Sequence, residues 1–236
     1  MLKDGLYEQV INESLQKDID ESVDKFSEIK EIDKAESSKI LSQYITDIIE
    51  KGLNYISDDN LSDRVSLINK IVSVIKEETE DEDFDSFSVN SKAEQLLSVF
   101  DKKNSVKSIN NKVKTIRPET SIAQSSLFTG AVHEPQMYTE LKKEIVSSDR
   151  IDMLVSFVKW SGLRLIINEL KDFTQNGGEL RIITTSYMGA TDVKAIEELR
   201  KLPNTKIKVS YDTKVTRLHA KAYVFYRDTG FTTAYV

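Results

Sequence analysis

A buried β-strand is predicted over residues 151–158, which read Ile151-Asp152-Met153-Leu154-Val155-Ser156-Phe157-Val158. The run is short and largely apolar, as expected of a strand inside a sheet. Apolar residues at helical spacing follow from Leu163 to Phe173, and a second strand is predicted over residues 180–185. The order strand, helix, strand is typical of an α/β domain, because helical crossovers join parallel strands.

The alternation continues to the end of the sequence. The predicted elements are a helix over 191–202 that ends at Pro203, and strands over 206–211, 218–226 and 232–236. The last two strands are joined by the turn-like residues 227–230 and form an antiparallel hairpin. We therefore expect an α/β domain with a mixed, largely parallel sheet.

The first half of the chain is different. Only two of the eight glycines and none of the three prolines precede Pro118, so helix breakers are rare there. Apolar residues recur at spacings of three and four from Leu6 to Phe26, Leu41 to Ile49 and Val65 to Ile75, and a shorter helix is predicted from Ser91, which has capping-box spacing to Glu94. These patterns predict an N-terminal all-α helical bundle, with the acidic run 77–83 as a solvated loop between its third and fourth helices.

Charge divides the chain at the same place. Residues 1–117 carry 17 Lys and Arg against 25 Asp and Glu, whereas residues 118–236 carry 16 against 14. We predict a helical module over 1–117, a linker over 118–125 and the α/β domain over 126–236. The basic stretch 101–117 has two interpretations, an arm that contacts nucleic acid or a solvated helix end and linker.

Composition excludes several classes. The 236 residues include no cysteine and two histidines, which excludes a disulfide framework, a thiolate nucleophile and a cysteine zinc site. No carboxylate–histidine cluster has metal-ligand spacing, so we expect neither metal nor cofactor. The sequence has no run of about 18 apolar residues and no signal-peptide profile, which predicts a cytoplasmic protein without a membrane segment.

The pattern that carries chemistry is His219-Ala220-Lys221. On a strand, residues i and i+2 point to the same face, so an imidazole and an ammonium would project together. Such a pair suits phosphodiester cleavage without a metal, because imidazole can attack phosphorus while the ammonium stabilises the non-bridging oxygens. The alternative is a chance pair on an edge strand.

Taken with its context, this pattern resembles the phospholipase D superfamily. The context is the predicted strand 151–158 followed by Lys159-Trp160-Ser161-Gly162, and the tract Ile182-Ile183-Thr184-Thr185-Ser186-Tyr187-Met188-Gly189-Ala190-Thr191-Asp192. More closely, residues 126–236 resemble the phospholipase D-like nuclease domain at the N-terminus of bacterial DEAD/DEAH-box helicases linked to restriction and phage defence. The opening residues 2–8 are similar to the start of those proteins.

The resemblance implies a nucleophile at His219 and a phosphate-binding cation at Lys221. In the superfamily two such motifs meet at a twofold or pseudo-twofold axis, and the second histidine acts as the general acid. This chain has one motif, because His133 is followed by Glu134-Pro135. The resemblance therefore implies a homodimer with a shared site.

Two departures from the family are visible. The superfamily places an aspartate five residues after the lysine, where this chain has Tyr226, and Asp228 follows two residues later. Relatives also continue beyond the position of Val236 into a Gly-Ser-rich turn that carries an active-site asparagine. We therefore expect the sequence to be a truncated part of a longer protein, and the absence of a Gly-x-x-x-x-Gly-Lys-Ser/Thr loop places any helicase motor outside it.

Other residues are candidates for substrate contact. Lys214 and Arg217 flank the motif and could hold neighbouring phosphates. Thr185 and Ser186 follow a predicted strand, where α/β folds place ligand groups, so we predict pocket lining against the alternative of a plain loop. Trp160 is a candidate for base stacking or for the core. His133 receives no role.

The sequence leads to one principal hypothesis and two rivals. The first is a metal-independent phosphodiesterase, a DNA nuclease domain of a helicase-associated restriction or phage-defence protein. The second is a catalytically degenerate module that binds nucleic acid or a partner for the helicase. Phospholipid hydrolysis is the third, and the lack of a basic amphipathic helix argues against it.

Overall fold

The computed structural model describes residues 2–99, 116–129, 131–212 and 218–236. By contacts the chain divides into two compact units, Met1–Leu97 and Ser98–Val236. Most of the basic stretch 101–117 lies outside the described residues, so the interpretations of that stretch stay predictions. Of the predicted linker 118–125, Pro118 is buried, and its neighbour Glu119 donates its amide to Glu140 of the second unit.

The first unit is helical, and its three predicted long helices are present with shifted ends. They are α1 (Glu13–Glu21), α2 (Ser37–Tyr55) and α3 (Leu61–Thr79). The first is much shorter than the periodicity from Leu6 to Phe26 predicts. Asn12 explains its start, because its side chain accepts the amide of Leu15 at 2.9 Å and so caps the helix there.

The fourth predicted helix is wrong over the described residues 91–99, which are not helical. Asn90 stabilises a turn instead of a helix, since its side chain accepts the amide of Lys92 and its carbonyl accepts the amide of Ala93. Ala93 then adopts a left-handed backbone with φ of 52°, which stops a helix from propagating. The expected Ser91 capping box does not overcome this turn.

The acidic run is exposed, as predicted, but it is not simply a loop. Helix α3 continues to Thr79, Glu80 turns with φ of 53°, and a 3₁₀ helix follows at Glu82–Phe87. Lys76 lies 2.7 Å from both Glu82 and Asp85, which offsets part of the repulsion between like charges.

The helices of the first unit have no buried residue. All the buried apolar side chains that the structure describes belong to the second unit. Helical content is therefore confirmed, whereas the described residues do not show the packed interior expected of a bundle. None of the helices among the described residues combines the length and apolar character that a bilayer span requires.

The second unit has the predicted α/β fold. Its elements are α4 (Met137–Val146), β1 (Arg150–Val155), α5 (Trp160–Leu163), α6 (Ile167–Gln175), β2 (Glu179–Thr185), a 3₁₀ turn (Tyr187–Gly189), α7 (Val193–Arg200), β3 (Thr205–Ser210), β4 (Lys221–Tyr226) and β5 (Thr233–Tyr235). The strand order is β3-β2-β1-β4-β5. Strands β1, β2 and β3 are parallel, whereas β4 is antiparallel to both β1 and β5.

The core lies on one face of this sheet. Strand register places Ile151 beside both Leu180 and Phe225, and all three side chains are buried in one cluster with residues of α4, α6 and α7. The opposite face carries Leu154 and Ile183, which are partly exposed. The unit is therefore a sheet with its described helices packed on one side.

A buried carboxylate attaches the terminal hairpin to α4. Glu144 forms an ion pair with Arg227, and it accepts hydrogen bonds from the hydroxyls of Thr233 at 2.8 Å and Tyr235 at 2.9 Å. Burial raises the pKa of the Tyr235 hydroxyl, so this group stays a neutral donor. These contacts fix the antiparallel strands β4 and β5 against the helical layer.

Candidate functional site

Strand direction brings the His219 motif to the end of the sheet at which the parallel strands finish. Val155, Thr185 and Ser210 are the last residues of β1, β2 and β3, and Lys221 is the first residue of antiparallel β4, paired with Val155. We call this the carboxyl end of the sheet. Open α/β sheets bind ligands outside the carboxyl ends of their strands.

Ser156 anchors the motif from the neighbouring strand. Its amide donates to the carbonyl of Ala220 at 2.8 Å, and its hydroxyl oxygen accepts the amide of Ala220 at 2.9 Å. Ser156 is itself buried. Both the amide and the carbonyl of Ala220, between His219 and Lys221, are therefore bonded to Ser156. Strand β4 begins at Lys221 rather than at the predicted Leu218.

Burial alternates along this segment. Leu218, Ala220 and Ala222 are half-buried, whereas His219 and Lys221 are exposed. The alternation has the period of two that an extended chain imposes. Imidazole and ammonium are both accessible at the carboxyl end, and their roles as nucleophile and phosphate-binding cation stay predictions.

Thr185 and Ser186, the two predicted pocket residues, form hydrogen bonds from the end of β2 to the end of β3. Thr185 is buried, and its hydroxyl donates to the carbonyl of Ser210 at 3.1 Å. Ser186 donates its amide to the same carbonyl at 2.9 Å and its hydroxyl at 3.3 Å. These bonds give both residues a positioning role, and their contact with substrate remains a prediction. Lys214 and Arg217 lie outside the described residues.

A second network supports the loops at this end. Thr191 donates its hydroxyl to the carbonyl of Thr185 at 2.7 Å. Asp192 accepts the amide of Trp160 at 2.8 Å and lies 3.2 Å from the ammonium of Lys159. Both contacts hold the pKa of the Asp192 carboxyl below its usual value, the amide most strongly.

Trp160 packs partly buried against the core cluster, and the ammonium of Lys194 lies 4.5 Å from the centre of its ring. The indole therefore contributes to packing and to a cation–π contact. This placement favours the core interpretation of Trp160 over base stacking.

The sequence did not single out Ser156 or Asp192. A signal for Ser156 was available, since a serine interrupts the apolar strand run at its carboxyl end, where ligand sites form in this fold class. Asp192 directly precedes α7 and was consistent with a helix cap, yet its side chain binds Trp160 and Lys159 instead.

Asp228 lies at the other end of the sheet from the motif. Its amide donates to Asp149, which directly precedes β1. Strand β4 runs away from the carboxyl end, so the seven positions between Lys221 and Asp228 span on the order of 20 Å. Asp228 therefore does not lie beside His219 and Lys221. Tyr226 lies under Arg150, with 3.8 Å between the guanidinium and the ring centre.

His133 is exposed in a turn. The carboxylate of its neighbour Glu134 accepts hydrogen bonds from the amide and the hydroxyl of Thr129, at 2.7 and 2.9 Å. That carboxylate organises the turn, and no catalytic pairing with His133 is assigned.

Within the ranges that the structure describes, no group of three or more histidine, aspartate or glutamate side chains could hold a metal ion. Comparison with known proteins gives no assignment either, since no protein-family model and no curated protein matches the chain.

Proposed function

We propose that the second unit is a phospholipase D-like phosphodiesterase that cleaves DNA without a metal ion, in a helicase-associated restriction or phage-defence protein. The observation that carries the proposal is the exposure of His219 and Lys221 together at the carboxyl end of the sheet. The hydrogen bonds of Ser156 to Ala220 support it, because a nucleophile must be held in a defined position to react efficiently.

The first chemical step forms a bond between an imidazole nitrogen of His219 and phosphorus. The bond from phosphorus to the leaving oxygen breaks, and that oxygen takes a proton from a general acid. Lys221 stabilises the negative charge on the non-bridging oxygens. In the second step water attacks the phosphohistidine and gives a proton to the group that acted as the general acid. The N–P bond breaks, and the imidazole is restored with a phosphate monoester as product.

The general acid is the His219 of a second copy in this proposal. Each chain has one His-x-Lys pattern, and an isologous dimer places two identical groups about its twofold axis. One histidine then attacks phosphorus while the other protonates the leaving oxygen.

The test measures nicking of a labelled plasmid and cutting of labelled oligonucleotides in excess EDTA. We compare the parent chain with His219→Ala, Lys221→Ala and the matched control His133→Ala, which removes the other histidine from an exposed turn. We expect the parent and H133A to cleave, and H219A and K221A to lose at least about 100-fold, in line with the loss of a nucleophile or of one charge-stabilising group.

Two results would overturn the proposal. One is equal cleavage by the parent and H219A, and the other is cleavage that disappears in EDTA and returns with a divalent metal. A covalent protein–DNA adduct that is stable to alkali and labile to acid, seen with the parent and missing with H219A, would support the phosphohistidine directly.

A second candidate is a non-catalytic module that binds nucleic acid or a partner. Tyr226 favours it, because the phospholipase D-like family has an aspartate at this position. Undiminished DNA binding by H219A, together with no turnover by the parent, would favour this candidate over the nuclease.

A further inference from the structure

A serine followed by an aromatic residue lies at the carboxyl end of each of the three parallel strands. The pairs are Ser156-Phe157 after β1, Ser186-Tyr187 after β2 and Ser210-Tyr211 at the end of β3. Strands that are far apart in the sequence therefore bring three aromatic residues to the carboxyl end of one sheet.

Backbone register places these pairs side by side. Thr185 is paired with Ser210, and its amide donates to the carbonyl of Ser156 at 3.3 Å. The serines at 156 and 210 consequently lie in one row across the sheet, and the residue after each of them leaves the sheet at the same level. Hydrogen bonds hold the backbone at both serines. Ala220 donates its amide to the hydroxyl of Ser156, and Ser186 donates its amide to the carbonyl of Ser210.

Two of the three aromatic side chains are open to solvent. Phe157 is 47% exposed and Tyr211 is 79% exposed, although large aromatic side chains are usually buried to a high degree. Tyr187, in contrast, is half-buried. Phe157 directly follows Ser156, and Ser156 bonds to Ala220 in antiparallel register, so Phe157 lies opposite His219 in the neighbouring segment.

A free cation lies at this end of the sheet. Lys221 is exposed and forms no ion pair among the residues that the structure describes. An exposed ring beside a free cation is the combination with which proteins hold single-stranded nucleic acid, where rings stack on bases and cations contact the backbone.

We propose that Phe157 and Tyr211 form a stacking platform for unpaired bases next to the phosphate that meets His219 and Lys221. The ligand is single-stranded nucleic acid or a single-stranded segment of a duplex. Two strand spacings, about 10 Å, separate the two backbones, and this exceeds the rise of about 3.4 Å per nucleotide, so the rings contact different bases. The choice of ligand rests on the proposed function.

The experiment measures the affinity of the full chain for labelled oligothymidine, for oligouridine and for a blunt DNA duplex, at fixed salt. The variants are Phe157→Ala, Tyr211→Ala, the ring-preserving Tyr211→Phe, and the control Phe231→Ala, which removes a partly exposed ring beside the turn at the other end of β4. We expect F157A and Y211A each to weaken binding of the single strand by about 5-fold or more, whereas Y211F and F231A stay within about 2-fold of the parent.

Binding to the blunt duplex is expected to change by less than about 2-fold in every variant, because paired bases do not offer their faces. The oligothymidine and oligouridine arms show whether the platform accepts both sugar types. Unchanged single-strand binding by F157A and Y211A would overturn the inference, and so would an equal loss for the duplex.

Failure of this inference can be told apart from failure of the proposed function. Cleavage in EDTA that depends on His219, with single-strand binding unaffected by Y211A, would leave the nuclease standing without the platform. Loss of single-strand binding in Y211A, with no cleavage by the parent, would leave the platform standing without the nuclease. Thermal unfolding of each variant is measured alongside, to check that the substitution leaves the fold intact.

Discussion

The two units of the chain share strong apolar periodicity but differ in what it produces. In the first unit α2 and α3 follow the predicted spacing, yet their apolar side chains are not buried. In the second unit residues from three strands and three long helices close a single core. Periodicity specifies a local element and its apolar face, whereas a core needs a second element to cover that face.

The distance along the chain between partners differs in the same way. In the first unit, the ion pair of Lys25 with Asp4 joins residues 21 positions apart. In the second, Ser156 binds Ala220 across 64 positions, and Glu144 binds Tyr235 across 91. Contacts of the second kind define which faces meet, and they are the reason that this unit has an interior.

The largest predicted effect tests this contrast directly. Phe225 is fully buried and packs edge-to-face on Tyr235 with 5.8 Å between ring centres, so Phe225→Ala is expected to lower the free energy of unfolding by about 3–5 kcal/mol. Ile48 on α2 is 44% exposed, and Ile48→Ala is expected to change the stability by less than about 1 kcal/mol.

In urea titrations, two spectroscopic signals distinguish the unfolding of the two units. Fluorescence of Trp160, the only tryptophan, reports the second unit, whereas far-ultraviolet circular dichroism reports the helices of both. A large loss of helical stability in I48A would contradict the contrast, because it would require a buried interior in the first unit.

The next effect concerns the buried carboxylate of the second unit. Glu144→Gln keeps the shape of the side chain but removes the charge that faces Arg227, which is only 7% exposed. We expect a loss of about 1.5–3 kcal/mol in the unfolding free energy, the range for hydrogen bonds to charged groups. Tryptophan fluorescence in urea measures it. The matched control is Glu179→Gln, which breaks an exposed pair with Lys206 at 2.8 Å in the same unit, and a loss in E144Q no larger than in E179Q would contradict the stabilising role of Glu144.

Much of the second unit follows from sequence alone. The strands at 150–155, 179–185 and 205–210 match their predictions closely because each is a short apolar or β-branched run between breakers. The exposure of His219 and Lys221 together also follows from strand parity. What the sequence could not provide is the strand order and the antiparallel pairing of β4 with β1, and these decide that Asp228 lies far from the motif and that Ser156 lies beside it.

The incorrect local predictions have a different cause. At residues 91–99 the pattern was consistent with a helix, but the hydrogen bonds of Asn90 favour a turn. The predicted helix over 163–173 is divided into α5 and α6. In each case apolar spacing is compatible with a helix, and local backbone contacts determine where the helix begins and ends.

A smaller effect is expected at the anchor of the motif. Ser156→Ala removes the hydroxyl that accepts the amide of Ala220, while the backbone bond from Ser156 to Ala220 remains. The cost to stability is about 1 kcal/mol. Hydrogen exchange provides the specific measurement, because the Ala220 amide should lose protection in S156A. Ser210→Ala is the control, since Ser210 accepts its bonds from Ser186 through the carbonyl, and equal exchange at Ala220 in both variants would exclude Ser156 as the anchor.

The smallest expected effect is a change in the pH dependence of stability, and it concerns Glu140 of α4. Burial by itself would raise the pKa of this carboxyl, but Lys143 at 2.8 Å and the amides of Thr120 and Glu119 together hold it below the usual value. A carboxyl whose pKa is lowered by folding stabilises the protein above its unfolded pKa of about 4.3, and this contribution is lost as the pH falls through the folded pKa.

Glu140→Gln removes the titrating group and keeps its shape. The parent is therefore expected to be more stable than E140Q at pH 7, with the difference shrinking steadily below about pH 4.3 as the parent takes up its proton. Urea midpoints of the Trp160 transition from pH 7 to pH 3 measure it. A constant difference over that range would mean that the hydrogen bonds to Thr120 and Glu119 stabilise both protonation states equally, and that the charge of Glu140 does not hold residues 119–120 against α4.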